Sequence, residues 1–391
     1  MRALLAGARR KQPHLLAFIR ELVTAESPSD AKAAVDACVA LAAARVRELG
    51  GRVKLHKQRA FGDLLEARFR PRSESKSSAL QPILVLGHLD TVWPVGTLKS
   101  MPCRLSAGRL WGPGALDMKA GVAMALTAIE MLAEAEIMER EIVLLLTGDE
   151  EVGSPVSRPL IERLAAGCAA VYVLEPAQGL AYKTARKGIG NWRIDVHGLS
   201  AHAGVDFAKG ANAIRELARI IETVSGWTDL PRGITVSAGV AGGGTKSNVI
   251  PAHAWAEVDM RFPRRVDGSR IARQFAALKP ADPRCTLAVS GGVNRPPMER
   301  RSGTVRLYRQ ARALAAEMGF TLPEASTGGG SDGNFTSALG VPTLDGMGAV
   351  GEGAHAAHES VILEHLAPRT ALLAGMLAIE PAPKPQTRSH A

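Results

Sequence analysis

Three short runs, ILVLG (83–87), EIVLLLT (141–147) and VYVLE (171–175), are apolar at nearly every position rather than at alternate ones. A strand with one wet face alternates, whereas a continuous apolar run is buried on both faces, as in a parallel sheet covered by helices on either side. The segments between the runs supply such helices. DMKAGVAMALTAIEMLAEAE, rich in Ala, Leu and Met, predicts a helix from about Asp117 to Glu136, and a second helical stretch covers residues 156–166. Strands alternating with helices in this way predict an α/β fold with a mostly parallel sheet.

From Pro13 to Leu49 the apolar positions recur at helical spacing, with ESPSD as a break and capping signal between two helices. The style changes after residue 190. GNWRIDVHGLSAHAG, GANAIRELARIIETV, GITVSAGV and AHAWAEVDMRF read as strand, helix, strand and strand with alternating hydrophobicity. That pattern predicts a smaller α+β domain with one wet face. A helix near 303–318 and the strand-like VPTLDGMG then return to the first style. The expected organisation is therefore a large α/β domain, 1–189 and 297–380, interrupted by an inserted domain, 190–296. The Pro-rich tail, 381–391, is expected to be disordered.

At 391 residues the chain is long for one core, and an apolar content of 46% with 22% charged residues belongs to a globular protein. No apolar run approaches the roughly 20 residues that cross a bilayer, so no membrane association and a cytoplasmic location are expected. Four cysteines, Cys38, Cys103, Cys168 and Cys285, are scattered without a Cys-x-x-Cys pair, which argues against disulfides and thiolate metal sites. The net charge is +10, yet the basic residues are dispersed and only 4% of residues are aromatic. Nucleic acid is not the expected partner.

In an open parallel sheet, ligands bind beyond the carboxyl ends of the strands. ILVLG leads into His88 and Asp90, EIVLLLT into Asp149, Glu150 and Glu151, VYVL into Glu175, and VPTLDGMGAVGEGAH into His355, while Asp117 opens the helix after the first run. Three adjacent carboxylates beside a low-dielectric core call for a positive partner. Imidazole and carboxylate without thiolate suit catalytic zinc, with cobalt or manganese also compatible, and the number of donors fits two ions sharing a carboxylate. In His88-x-Asp90 both side chains of an extended segment point the same way, so Asp90 can accept from the far nitrogen of a metal-bound His88. GMGAVG (346–351) and GVAGGGTKS (239–247) look like nucleotide loops but lack the following helix or the required spacing.

The motifs GHLDTVWPVGT, GPGALDMKAG, TGDEEVGS, VLEPA, GLSAHAG, GGTKSNVIP and GEGAHAAHES resemble, in order, those of the M20 family of dinuclear zinc peptidases. The resemblance is closest to its glutamate carboxypeptidase (carboxypeptidase G2-like) branch and covers nearly the whole chain. It implies a phosphorylase/hydrolase-like zinc exopeptidase fold with an inserted ferredoxin-like dimerisation or lid domain, and a homodimer formed through that domain. It further implies two Zn2+ per subunit, with His88 and Glu175 on one, Glu151 and His355 on the other, and Asp117 bridging. Asp90 would be the partner of His88, Glu150 the general base, and Asp149 structural. HAAHE puts His358 where the family usually has Asn or Asp, so the ligand is assigned to His355. The Asp117-Met118 peptide is expected to be cis. In the inserted domain, His202 resembles the residue that stabilises an oxyanion in a neighbouring subunit, and Asn248 a substrate-binding residue. Arg295 resembles a carboxylate-binding residue, with Arg261 a weaker candidate, and TGGGSDG, including Gly330, a substrate loop.

The expected activity is hydrolysis of the amide bond to a C-terminal amino acid, glutamate by branch and by the basic charge, from a peptide or N-acyl amino acid. An N-acyl-amino-acid deacylase or a di- or tripeptidase is the alternative within the class. A non-catalytic metal-binding homologue would have little need of Glu150, and a basic nucleic-acid-binding module would need no metal.

Overall fold

The computed structural model describes residues 1–71 and 80–379. The expected disordered tail, 381–391, lies outside the described residues. The chain divides into two compact units, one of Met1–Ala185, Arg300–Ser326 and Ser331 onward, the other of Arg186–Glu299 with Thr327–Gly330. The borders expected at 190 and 296 fall at 186 and 299, and the short segment 327–330 joins the smaller unit.

In chain order the larger unit begins with helices Arg2–Thr24 and Lys32–Glu48, then strands β1 (Arg52–His56), β2 (Leu64–Phe69) and β3 (Ile83–His88). Two short strands, β4 (Arg104–Ser106) and β5 (Arg109–Trp111), precede helix Ala120–Glu134, strand β6 (Ile142–Thr147), helix Arg158–Ala166 and strand β7 (Ala170–Val173). After β8 (Tyr182–Arg186) comes the smaller unit, with β9 (Gly188–His197), helix Ala213–Ser225, β10 (Thr235–Gly243), β11 (His253–Phe262), helix Arg265–Ala276 and β12 (Thr286–Arg295). Helix Ser302–Glu317, β13 (Glu324–Thr327), helix Gly333–Ala338, β14 (Thr343–Leu344), β15 (Gly351–Glu352), β16 (Ser360–Ile362) and helix Leu366–Ala378 complete the fold.

The large sheet has the order β1-β2-β6-β3-β7-β14. Strands β6, β3, β7 and β14 run parallel, while β1 and β2 join antiparallel at one edge. The continuous apolar runs are explained by two separate cores. Ile142, Leu144 and Leu146 of β6 face the core built with helices Arg2–Thr24, Ala120–Glu134 and Leu366–Ala378. Val143 and Leu145 face the core containing Leu160, Ile161 and Phe335.

Two local expectations are corrected. The first helix starts at Arg2 and runs on through Pro13, because Pro13 is accommodated inside it rather than opening it. ESPSD breaks the helices as expected but does not cap the second through a side chain. Its hydroxyls are used elsewhere, Ser27 donating to the Leu89 carbonyl at 2.6 Å and Ser29 to the Asp90 carboxylate at 2.7 Å.

The smaller unit is a fully antiparallel sheet of order β10-β11-β9-β12. The expected strand-helix-strand-strand pattern is extended by helix Arg265–Ala276 and β12. The completed βαββαβ chain path with this strand order is the ferredoxin-like arrangement. One face packs on the two helices through Trp192, Ile194, Val196, Leu217, Ile220, Ile271 and Phe275. The other face carries Asn191, Arg193, Asp195, Glu257, Asp259 and Arg261. None of the described helices is long and apolar enough to cross a membrane.

Candidate metal centre

Because β3, β6, β7 and β14 are parallel, their carboxyl ends open on one edge of the sheet, and β3, β6 and β7 each hand a charged group to it. His88 closes β3 and is buried, as is Glu175 two residues beyond β7. After β6 the chain turns at Gly148, where a Cβ would lie 2.9 Å from Val35, and forms a short 3₁₀ turn, Glu150–Val152. This turn removes the strand alternation that would send Glu150 and Glu151 to opposite faces.

Asp90 builds that turn. The amides of Glu150 and Glu151 donate to its two carboxylate oxygens at 3.2 and 3.1 Å, and the Ser29 hydroxyl adds a third bond. The expected bond between the Asp90 side chain and His88 is replaced by one to the main chain. His88 Nδ1 lies 2.9 Å from the Asp90 carbonyl oxygen and 3.5 Å from the nearer carboxylate oxygen. The carboxylate is already engaged by three donors, so the imidazole takes the carbonyl. Asp149 also serves the loop, accepting from the Val156 and Ser157 amides at 2.8 and 3.1 Å.

Asp117 lies in the turn Ala115–Lys119, where it and Met118 leave helical geometry, and the Asp117-Met118 peptide is cis. One carboxylate oxygen of Asp117 is 3.3 Å from His88 Nε2 and the other 3.3 Å from His355 Nε2. His88 Nε2 is also 3.8 Å from Glu175, and His355 Nε2 is 3.1 Å from Glu151. Ligand atoms of His88, Asp117 and Glu151, and of His88, Glu150 and Glu175, lie within 4.8 Å of one another. Neither His355 nor His358 belongs to these two groups; His355, with φ of +63° in the left-handed region, reaches the cluster through its contacts with Asp117 and Glu151.

The charges are strongly coupled. Burial alone would push the His88 imidazole down, but Asp117 and Asp90 hold it well above the ordinary histidine value. Hydrogen bonds to Asp117 and Glu151 raise His355 to about 10. Burial would raise Asp117, yet the two imidazoles keep it well below the usual carboxylate range. Two imidazoles (His88, His355) and three carboxylates (Asp117, Glu151, Glu175), with no thiolate and with Asp117 divided between the histidines, form a donor set that fits a pair of divalent ions.

The other predicted residues belong to the smaller unit. His202 and Asn248 are brought together there, with the Ala203 amide donating to the Asn248 carbonyl at 3.0 Å and a bridge between His202 and Val249. Both side chains are exposed. His202 Nδ1 accepts from the amides of Gly204 and Val205 at 3.1 and 3.2 Å, which leaves the proton of a neutral ring on Nε2. Arg295 ends β12 and is buried beside Gly330, where a Cβ would lie 2.8 Å from Arg295 Cδ and 2.6 Å from Ile189 Cδ1. A side chain here would have to displace Ile189 and Arg295. Arg261 donates to Asp259 beside it at 2.9 Å.

Sequence reasoning gives no role to Arg186 or Glu359. Buried Arg186 donates to the carbonyls of Gly329 and Gly330 at 3.2 and 2.8 Å. Buried Glu359 accepts from the turn that carries Asp117. Glu359 lies inside the GEGAHAAHES motif, which by itself gives it no role, and an isolated Arg such as Arg186 carries no spacing signal.

The model of peptidase family M20/M25/M40 matches residues 84–378. The chain belongs to this family. Its fold is that of M20 peptidases, whose members are metal-dependent hydrolases, and the chain is an M20 hydrolase. Carboxypeptidase G2 of Pseudomonas sp. (strain RS-16) is 27% identical over 96% of this chain and 91% of its own length. A succinyl-diaminopimelate desuccinylase of Cereibacter sphaeroides (strain KD131) is 31% identical over 73% of this chain and 80% of its own. Among solved structures, a tripeptidase of Staphylococcus aureus superposes with a TM-score of 0.77 at 20% identity, covering 94% of this chain and 98% of that one. These M20 relatives differ in substrate.

Proposed function

We propose that this M20 hydrolase is a dinuclear zinc exopeptidase that cleaves the amide bond to a C-terminal amino acid, glutamate foremost, in a peptide or N-acyl amino acid. The observation that carries the reading is the division of the Asp117 carboxylate between His88 and His355. In this reading His88 and Glu175 would hold one zinc and Glu151 and His355 the other, with Asp117 placed to serve both. Cobalt or manganese suits the same donors. Bound ions supply Lewis acidity toward the scissile carbonyl and a nucleophile at neutral pH.

Glu150 acts as the general base, taking a proton from the attacking water and returning it to the leaving nitrogen. Asp90 orients Glu150 and Glu151 through their amides. His202 donates from Nε2 to the developing oxyanion, Asn248 and the Gly330 loop bind substrate, and the planar fork of Arg295 grips its carboxylate. The same proposal includes a cytoplasmic homodimer formed through the smaller unit, with His202 and Asn248 serving the neighbouring subunit. A verified monomer with unchanged turnover would refute that part. Deacylation of N-acyl amino acids is the second reading, favoured by the 31% identity to a desuccinylase; di- or tripeptide cleavage uses the same centre.

The test is release of free amino acid by zinc-loaded protein from a matched panel of N-acyl-Glu, N-acyl-Ala, N-succinyl amino acids and dipeptides. Cleavage led by acyl-Glu is expected. In Glu150→Ala, turnover should fall by about 100- to 10,000-fold with both metal equivalents retained. Preference for a succinyl substrate would move the assignment to the deacylase, and full activity in the variant would remove Glu150 as the base.

A further inference from the structure

Three segments around the metal centre converge on one buried side chain. Glu359 is 1% exposed, and its Oε1 accepts from the amides of Leu116 and Asp117 at 2.9 and 3.1 Å. Its Oε2 accepts from the Gly114 amide at 2.9 Å and from the indole Nε1 of Trp93 at 2.8 Å. Its own carbonyl accepts from the Gly112 amide at 3.3 Å, and its amide donates to Ala356, in the turn that follows His355. The side chain thus joins the loop after β3, the turn bearing Asp117 and the segment bearing His355.

Asp117 needs such a partner. At φ −113° and ψ 94° it lies outside the helical ladder on either side, so regular helix hydrogen bonding does not set its direction. Each oxygen of its carboxylate must nevertheless face a different histidine. Four donors arrive in two pairs, and only a carboxylate offers acceptors on both terminal atoms. An amide of the same shape would aim its NH2 at one pair of donors. Burial pushes the Glu359 carboxyl up from its ordinary value, and these charge-assisted bonds offset part of that cost.

We propose that Glu359 is a positioning residue that keeps the Asp117 carboxylate divided between His88 and His355, so that the paired metal site keeps its full affinity only while a carboxylate with the reach of glutamate stands at position 359. This inference rests on the dinuclear reading above. It assigns no contact between Glu359 and substrate or metal.

The experiment is Co2+ titration of the full-length, metal-stripped protein and of Glu359→Gln, followed by calorimetry and by the visible absorption of bound cobalt, with thermal unfolding in parallel. The unaltered protein is expected to take up two equivalents. In Glu359→Gln, affinity for at least one of them should fall by about 10- to 100-fold and the cobalt spectrum should change, while the fold is retained. At saturating metal, kcat should fall with KM nearly unchanged. If Glu359→Gln does not fold, Glu359→Asp serves in its place: it keeps the charge but not the reach to all four donors, and its cobalt affinity should also fall. Trp93→Phe removes one donor and leaves the Asp117 amide engaged, so its cobalt affinity should stay near that of the unaltered protein. Identical cobalt affinity and spectrum in a folded Glu359 variant would overturn the proposal. Failure of the unaltered protein to bind two equivalents would instead sink the dinuclear reading beneath it.

Discussion

Strand β6 and strand β9 both present apolar side chains to a core, but they do so differently. Every residue of β6 is buried, because alternate side chains enter two cores. In β9 burial alternates, with Trp192, Ile194 and Val196 inside and Asn191, Arg193 and Asp195 on the open face. A doubly buried strand has no lateral surface on which to carry chemistry. Its reactive groups must stand at its end, as Glu150 and Glu151 do after β6 and His88 does at β3. The antiparallel sheet has a whole face to spare, and its candidate residues, His202 and Asn248, lie in loops around it.

This contrast is sharpest in the cost of side-chain loss. Leu145→Ala removes a side chain from the packed second core and should cost about 2–5 kcal/mol in denaturant unfolding. A loss below about 1 kcal/mol would mean that the second face of β6 is not a true core.

Two depressed aspartates extend the comparison to pH. Burial would raise the Asp63 carboxyl, but Lys32, Lys57 and the Gln58 amide hold it at about 2 in the larger unit. Hydrogen bonds from Arg284 hold Asp282 at about 2 at the surface of the smaller one. A carboxylate depressed on folding contributes stability above its unfolded pKa and loses it as pH falls through the folded value. For buried Asp63 that contribution, roughly 2 kcal/mol, should disappear between about pH 4 and pH 2. Asp63→Asn should flatten the acid limb of the stability profile in that window. Asp282→Asn should change it less, and only at low salt, because solvent and ions screen the surface pair. Equal, salt-independent effects would erase the distinction between the units.

The smallest expected effect is that of Glu257→Ala on the open face of β11. Glu257 pairs with Arg193 at 3.2 Å across the sheet, yet both side chains are solvated. The change in stability should stay within about 0.5 kcal/mol, and a larger loss in a monomeric preparation would show that the open face is not simply wet.

Much of the larger unit was legible in the sequence because its signals are local. Continuous apolar runs mark doubly buried strands, and the charged residues immediately after them mark the sheet edge. Helix Arg265–Ala276 and strand β12 were harder to read. The helix buries only Asp267, Gly268, Ile271 and Phe275, a narrow stripe in a polar segment. The alternation of β12 is interrupted by Gly291 and Gly292. The helical start before Pro13 was obscured because a proline there reads equally well as a first-turn residue.

By itself the sequence determined the α/β class, the second α+β domain, the M20 resemblance and the strand ends from which His88, Glu150, Glu151 and Glu175 project. These follow from periodicity and motif order, which are properties of neighbouring residues. Only the tertiary structure decided that Asp90 spends its carboxylate on the Glu150-Glu151 turn, that Gly330 packs closely on Ile189 and Arg295, and that Glu359 holds the turn of Asp117. Those relations join residues far apart in the chain through hydrogen bonds and close packing. No local pattern encodes them, because either partner alone would look like an ordinary polar or small residue.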